Sequence, residues 1–302
     1  MARIPGTTWK PVERYQQGGS VATPMTSHRR VILHTAVSDA DSLYPLFAQP
    51  GQATSHTYVA RDGRTEQYID TSIQSTANLE GNADGISVES WDHYPTGWAH
   101  DADVPKWTAA QLNAIAEICA WAHKKYGIPL QKLPSSRPGT RGIGWHRQGI
   151  DPWRESGGEV WSESTGKVCP GDRRVRQVGK VIRLARKVAN VKPVSLNRLL
   201  RIAKHKHGKA YTKEGRRQVE VVVDALHGHG FSVEGHEHGH YDAALKRAVG
   251  TFQENQGWTG EDANGLVGPV TLNRLGIAFR KGRPNLLQGF TKRDTASTSS
   301  TA

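Results

Sequence analysis

Cysteine and acidic side chains are scarce in this sequence, and long apolar runs are missing. Two cysteines in 302 residues cannot build a disulfide framework, so a cysteine with a role here acts as thiol or thiolate, in a protein made in a reducing compartment. No apolar stretch approaches the ~20 residues that cross a bilayer. Met1 to Lys10 lack the apolar core of a secretory signal, so Sec-type export is not expected. The 28 acidic residues are outnumbered by 40 lysines and arginines, giving a net charge of +12 and a pI near 9.8. Such a charge attracts polyanions, whether nucleic acid, anionic membrane or teichoic-acid-bearing wall. The basic runs at Arg173 to Arg176, Arg183 to Lys187, Lys204 to Lys209 and Lys213 to Arg217 form no single recognition motif, so charge does not choose among them. A chain that is 36% hydrophobic and 23% charged suits one large soluble domain or two ordinary ones.

The first half mixes strand and helix signals. Val31-Ile32-Leu33-His34 reads as a short buried strand. Thr57 to Ala60 and Thr65 to Ile69 flank Arg61-Asp62-Gly63-Arg64 as a hairpin. Ile86-Ser87-Val88-Glu89 alternates, so Ser87 and Glu89 share one face. A helix is predicted from Thr108 to Tyr126, with Thr108 and Gln111 as a capping box and Gly127 and Pro129 as the stop. Leu112, Ile115, Cys119, Ala122 and Tyr126 form its buried stripe, which assigns Cys119 to packing. A second helix follows Pro170-Gly171, with Val175, Val178, Ile182, Ala185 and Val188 inward and its arginines outward on a solvated face. Lys192-Pro193 marks a linker. Beyond it, Leu196 to Ala203, Val219 to Leu226, Ala243 to Phe252 and Val270 to Leu275 read as a small all-helical module. The last dozen residues, rich in Ser and Thr, are expected to be disordered.

Cys169 is then the cysteine left for chemistry. It lies in Gly166-Lys167-Val168-Cys169-Pro170-Gly171, where residues two apart in extended chain face the same way, so Lys167 and Cys169 can share a centre. His34 ends an apolar strand, and His146 sits in Gly144-Trp145-His146-Arg147. Two imidazoles and a thiolate make a three-ligand zinc set with a fourth position open, the catalytic pattern. Residue types alone leave open a buried cysteine and two unrelated histidines. Hydrolysis at such a metal needs a base and charge stabilisation. Glu89, at a strand end, is a candidate for the first, and Lys167 for the second.

Taken in order, Val31 to Ala36, Ser55-His56-Thr57-Tyr58-Val59 with Arg61-Asp62-Gly63, Ile86 to Glu89, Gly144 to Arg147 and Lys167 to Gly171 resemble the type-2 N-acetylmuramoyl-L-alanine amidases over about residues 25 to 190. The resemblance implies an α/β fold, a mixed sheet flanked by helices of the peptidoglycan-recognition type. It implies zinc held by His34, His146 and Cys169, with Glu89 as base and Lys167 as oxyanion partner. The implied reaction cleaves the amide between N-acetylmuramic acid and the L-alanine of the stem peptide. His56, in the matched hairpin, and Asn82, before the Ile86 strand, are the substrate-binding candidates, with His56 expected to line the groove. Two departures stand out. The stretch from His146 to Cys169 is long and holds Trp153 and Trp161, a candidate extra loop over the groove contacting glycan, and its Asp151 is a competing third ligand. Ser55 stands where some relatives have a tyrosine, so the base role rests on Glu89.

The later module resembles helical peptidoglycan-binding domains through Thr251-Phe252-Gln253, Gly257-Trp258 and Asp262 to Gly268. The expected organisation is an amidase domain over 1–190, a wall-binding domain over 194–285 and a tail over 286–302. The combination resembles a bacteriophage endolysin, of a phage that infects actinobacteria. That implies a monomer made in the host cytoplasm and released by a holin, with peptidoglycan and anionic wall polymers, not nucleic acid, as partners. A non-catalytic peptidoglycan receptor and a zinc peptidase cutting within the stem peptide are the alternatives. His227, His229, His236, His238 and His240, and likewise His205 and His207, read as solvated loops or helix ends, and His28 as surface.

Overall fold

A computed structural model of the chain describes residues 2–16, 18–93 and 103–280. The expected disordered tail and the last residues of the expected wall-binding domain lie outside them. The chain divides into two compact units, Met1–Asn190 and Val191–Ala302.

The first unit is built on a six-stranded mixed sheet of order β1-β4-β3-β5-β2-β6. Its strands are β1 (Thr8–Trp9), β2 (Arg30–Leu33), β3 (Thr57–Val59), β4 (Thr65–Gln67), β5 (Gly85–Ser90) and β6 (Gly142–Trp145). Only the β3–β4 hairpin is antiparallel; β2 runs parallel to both β5 and β6. A parallel strand between two others is covered on both faces, and β2 is accordingly an unbroken buried run. Its first residue, Arg30, is fully buried. The Arg30 guanidinium donates to both oxygens of Asp84 at 2.5 and 2.7 Å and to Glu159 at 3.0 Å, and it lies over the Trp161 ring. Burial of that cation is tolerable because two carboxylates meet it.

A short helix, α1 (Tyr44–Phe47), follows β2. Helix α2 (Ala109–Tyr126) starts at the anticipated capping box: Gln111 N–H donates to Thr108 Oγ1 and Thr108 N–H to Gln111 Oε1. It stops at Gly127, whose φ of 66° is left-handed. Helix α3 (Asp172–Val188) packs against α2. Its inward face differs from the expectation: Val181 is buried and Val188 exposed, and Arg174 is fully buried instead of pointing outward. Arg174 finds acceptors on every side, in Pro105 O, Thr35 Oγ1, Ser90 Oγ and Trp91 O.

The second unit packs α4 (Leu196–Lys204), α5 (Lys213–Gly228), α6 (Ala243–Asn255) and α7 (Pro269–Arg274) around Leu199, Val222, Leu226, Leu245, Val249 and Phe252. Serine, threonine and aspartate caps at Ser195, Thr212 and Asp242 start three of these helices. The unit also has a two-stranded parallel ladder, β7 (Val194–Ser195) with β8 (Phe279–Arg280), that the helical reading did not anticipate. Nor are all its histidines solvated. His236 is half-buried with its side chain between Glu220 and Asp242, both at 3.2 Å, and His240 lies 2.8 Å from Glu237.

His56, expected to line a groove, is a buried pin between β3 and β5. Its Nδ1 accepts from Ser87 N–H at 3.1 Å and its Nε2 donates to Ile73 O at 2.8 Å. Burial, against the Ile73 hydrogen bond and with help from His28, pushes its pKa down to about 4. The unfolded chain therefore binds a proton between about pH 6.5 and 4 that the folded chain refuses, so this contribution is complete above pH 6.5 and lost as pH falls toward 4. His56→Gln should cost about 1–2 kcal/mol at pH 7 in urea unfolding, and its stability should converge on that of the wild type as pH falls to 4.5. Parallel curves would show that His56 is not held neutral.

Candidate metal centre

In the sheet register, Leu33 stands opposite Val88 of β5 and Trp145 of β6. The next residue on each strand is His34, Glu89 and His146, so three chemically active side chains emerge at one level. Cys169 reaches the same place from the loop before α3. Thr35 N–H donates to its Sγ at 3.3 Å, and its carbonyl accepts from Arg147 N–H at 2.9 Å. Cys169 Sγ lies 3.9 Å from His34 Nδ1, the His34 and His146 ring centroids are 4.3 Å apart, and donor atoms of the three residues all fall within 4.8 Å of one another. They form the one His/Cys/Asp/Glu group among the described residues with metal-binding geometry.

The imidazole of His146 is set for this. Its Nε2–H donates to Trp161 O at 3.0 Å, which leaves the Nδ1 lone pair free, and Nδ1 is buried without a partner among the described residues. Fixing one ring nitrogen by a carbonyl is how a ligand histidine is oriented. Trp161, expected near glycan, is instead fully buried, packed against Gly81 and Gly149. A Cβ on either glycine would fall within 2.6 Å of the indole.

The electrostatics describe an environment in which burial disfavours charge of either sign. Burial first, and then His146 and Lys167, push His34 well below the usual imidazole range, with Asn78 opposing. Burial and Lys167 take His146 down to about 3. Burial and the nearby Glu89 push the Cys169 thiol up to about 12, against Lys167, the Thr35 N–H and Arg174. Burial raises Glu89 to about 8, against Lys167 and the Ser55 hydroxyl, which donates to Glu89 Oε1 at 3.3 Å. Glu89 Oε1 is also 3.6 Å from His34 Nδ1, while its Oε2 is buried without a partner among the described residues. Two neutral imidazoles, a thiol and a carboxyl packed together are what a divalent cation would turn into ligands and a charged base. The residues present fit a metal.

Lys167 is exposed at the mouth and acts on all four groups by its charge. Asp151 is exposed, paired with Arg154 at 3.1 Å, and not in the cluster. Cys119 is a fully buried thiol in α2, pushed up to about 12 by desolvation alone. His56 is sealed away, and His28 is half-buried, stacked on Tyr126 at 3.6 Å. Asn82 is half-buried, its carbonyl oxygen accepting from Asn78 N–H at 2.8 Å. Two supports escaped the sequence reading. Asn78 is a buried amide beside His34, carried on the loop before β5. Arg174 and Asp92 together hold the Thr35 hydroxyl, and thereby the N–H that meets Cys169. An Asn in a loop and an Arg in a basic helix carry no sequence signal for either role.

Residues 24–172 match the model of the N-acetylmuramoyl-L-alanine amidase family, and residues 215–275 match that of a putative peptidoglycan binding domain. No curated protein matches the chain. Among solved structures, the endolysin amidase LysCS from Clostridium intestinale URNW is similar at 13% identity over 64% of this chain and 100% of that one, with a TM-score of 0.38. The Staphylococcus aureus hydrolase AmiA in complex with its ligand is similar at 16% identity over 63% and 89%, TM-score 0.42. The Ph2119 endolysin from a Thermus scotoductus bacteriophage is similar at 16% identity over 58% and 97%, TM-score 0.36. Residues 24–172 of this chain are thus an N-acetylmuramoyl-L-alanine amidase domain, and a peptidoglycan-binding domain follows it.

Proposed function

We propose that the chain is a zinc-dependent endolysin, cutting the bond between N-acetylmuramic acid and L-alanine of peptidoglycan during lysis of a phage host. The observation that carries the zinc is the preset His146 Nδ1, converging with His34 and Cys169 within 4.8 Å. His34, His146 and Cys169 would hold the ion, leaving the open position of a catalytic site. Zinc there supplies Lewis acidity to a carbonyl and makes water nucleophilic at neutral pH. Glu89, steadied by Ser55, takes the proton from the attacking water and returns it to the leaving amine. Lys167 meets the negative charge that develops on the carbonyl oxygen. Asn82 keeps its amide nitrogen for the stem peptide. The amidase domain covers 1–190 and the wall-binding domain 194–285, acting as a monomer at the wall after release from the host cytoplasm. The net charge of +12 supports retention on anionic wall polymers.

Purified protein should release stem peptides with new N-terminal alanine from actinobacterial peptidoglycan, without new reducing ends. A chelator should abolish release and added zinc restore it. Peptides starting at a later residue would make it a stem peptidase, and wall binding without release a receptor. Wild type should carry about one zinc per chain, and Cys169→Ala should lose it in metal analysis. Glu89→Gln should retain the metal yet lose roughly 10²–10⁴-fold in kcat; full activity in that variant would remove Glu89 from the base role.

A further inference from the structure

Residues that flank His146 in sequence take part in a concavity of about 250 Å³, walled by Trp145, Trp153, Arg147, Ser135, Glu155 and Val175. Trp145 is still extended, with φ −143° and ψ 152°, so its indole and the His146 imidazole leave the chain on opposite sides. Arg147 follows His146. The concavity therefore sits around the β6 edge from the metal, reached through residues that bracket a metal-binding side chain. Trp153 keeps 38% of its surface exposed, one of few large apolar side chains among the described residues to do so. It is nevertheless held in place: the Arg147 guanidinium lies 5.0 Å over its ring and is itself tied to the Asp172 carboxylate. The Glu155 carboxylate, more than half exposed, stands on the same wall, 3.8 Å from Arg137.

We propose that this concavity is a glycan subsite, taking an N-acetylated hexosamine that neighbours the cleaved muramoyl residue on the glycan strand. The inference rests on the amidase reading, which puts a saccharide at the scissile amide. The chemistry of the walls selects a sugar. A pyranose offers an apolar C–H face to an indole and a rim of hydroxyls to a guanidinium, a carboxylate and a serine. The volume is below the roughly 300–1,000 Å³ of pockets for larger ligands, so it accepts about one ring. The occupied position also explains the long segment between His146 and Cys169. That segment supplies Trp153 and Glu155 on one side and, through Trp161 O, the anchor of His146 on the other.

The test uses full-length protein and a β-1,4-linked N-acetylglucosamine tetrasaccharide as probe, with peptide-bearing glycan strands as substrate. Trp153→Ala should weaken tetrasaccharide binding by calorimetry about tenfold, the loss of one aromatic contact. It should raise KM on glycan strands by a similar factor, with kcat changed far less. Trp153→Phe should recover most of both, and Glu155→Gln, which leaves the packing in place, should weaken both severalfold. Because each variant keeps the second domain, any binding there cancels in the comparison. Wild-type tetrasaccharide affinity and KM in both Trp153→Ala and Glu155→Gln would overturn the subsite. Failure of the wild type to release alanine-terminated peptide from the peptide-bearing glycan strands would instead overturn the amidase reading.

Discussion

The row Leu33, Val88 and Trp145 is the constraint on which the site depends. Because β2 is paired in parallel with β5 on one side and β6 on the other, Leu33, Val88 and Trp145 stand at one level. Each is followed at once by a chemically active residue: His34 just past β2, Glu89 inside β5 and His146 just past β6. A strand that slipped by one residue would turn its active side chain to the opposite face. The register therefore brings these side chains together as much as their own identities do. It is enforced by ordinary packing, since β2 is apolar on both faces and Arg30 is locked to Asp84 at its start. Cys169 is the exception, being delivered by a loop, and it needs its own restraints: Thr35 N–H on the sulfur and Arg147 N–H on the carbonyl.

Packing of this kind creates an electrostatic debt that defines the chemistry. Four groups that could each carry charge are brought together with little solvent, and each answers by becoming neutral. Lys167 acts from the exposed rim. It disfavours protonated imidazole and favours thiolate and carboxylate, which is the protonation pattern a metal requires. Arg174 works from behind the sulfur in the same direction, through its charge and through Thr35. A cation bound among these donors would complete a field that rim and rear cations already bias. Exchange of protons for metal is the coupling expected of such a site.

Much of this was legible in the sequence because it is local. The strand ending in His34, the alternation that aims Glu89, the capping box of α2 and the Lys167–Cys169 spacing each depend on residues a few positions apart. The failures share the opposite property. Arg174 looks like one more solvated arginine until Pro105, Ser90 and Thr35 are seen around it, 69, 84 and 139 residues away. His56 matches a family segment, yet its fate is decided by Ile73 and Ser87, which consume both ring nitrogens. His236 reads as a solvated loop residue because its partners are non-local or on another element: Glu220 lies on α5, and Asp242 is the N-cap of α6. A periodicity argument sees which face a residue is on, not whether that face holds acceptors that make burial of a charge tolerable.

The segment between His146 and Cys169 carries such non-local design at small cost. Lengthening a loop is cheap in entropy, about 0.6 kcal/mol for each doubling, and its two ends here are already fixed by β6 and α3. The segment is stitched down where it crosses the molecule: Trp161 N–H to Gly149 O, Gly166 N–H to Asp151 O, Val160 N–H to Glu80 and Glu159 to Arg30. Once Trp161 is seated against Gly81 and Gly149, its carbonyl is available at a fixed point for His146. Its outer half makes no hydrogen bond to His34, His146 or Cys169 among those described. Trp153 and Glu155 occupy that half, where sequence change can alter what the enzyme recognises while the seated half preserves how it reacts.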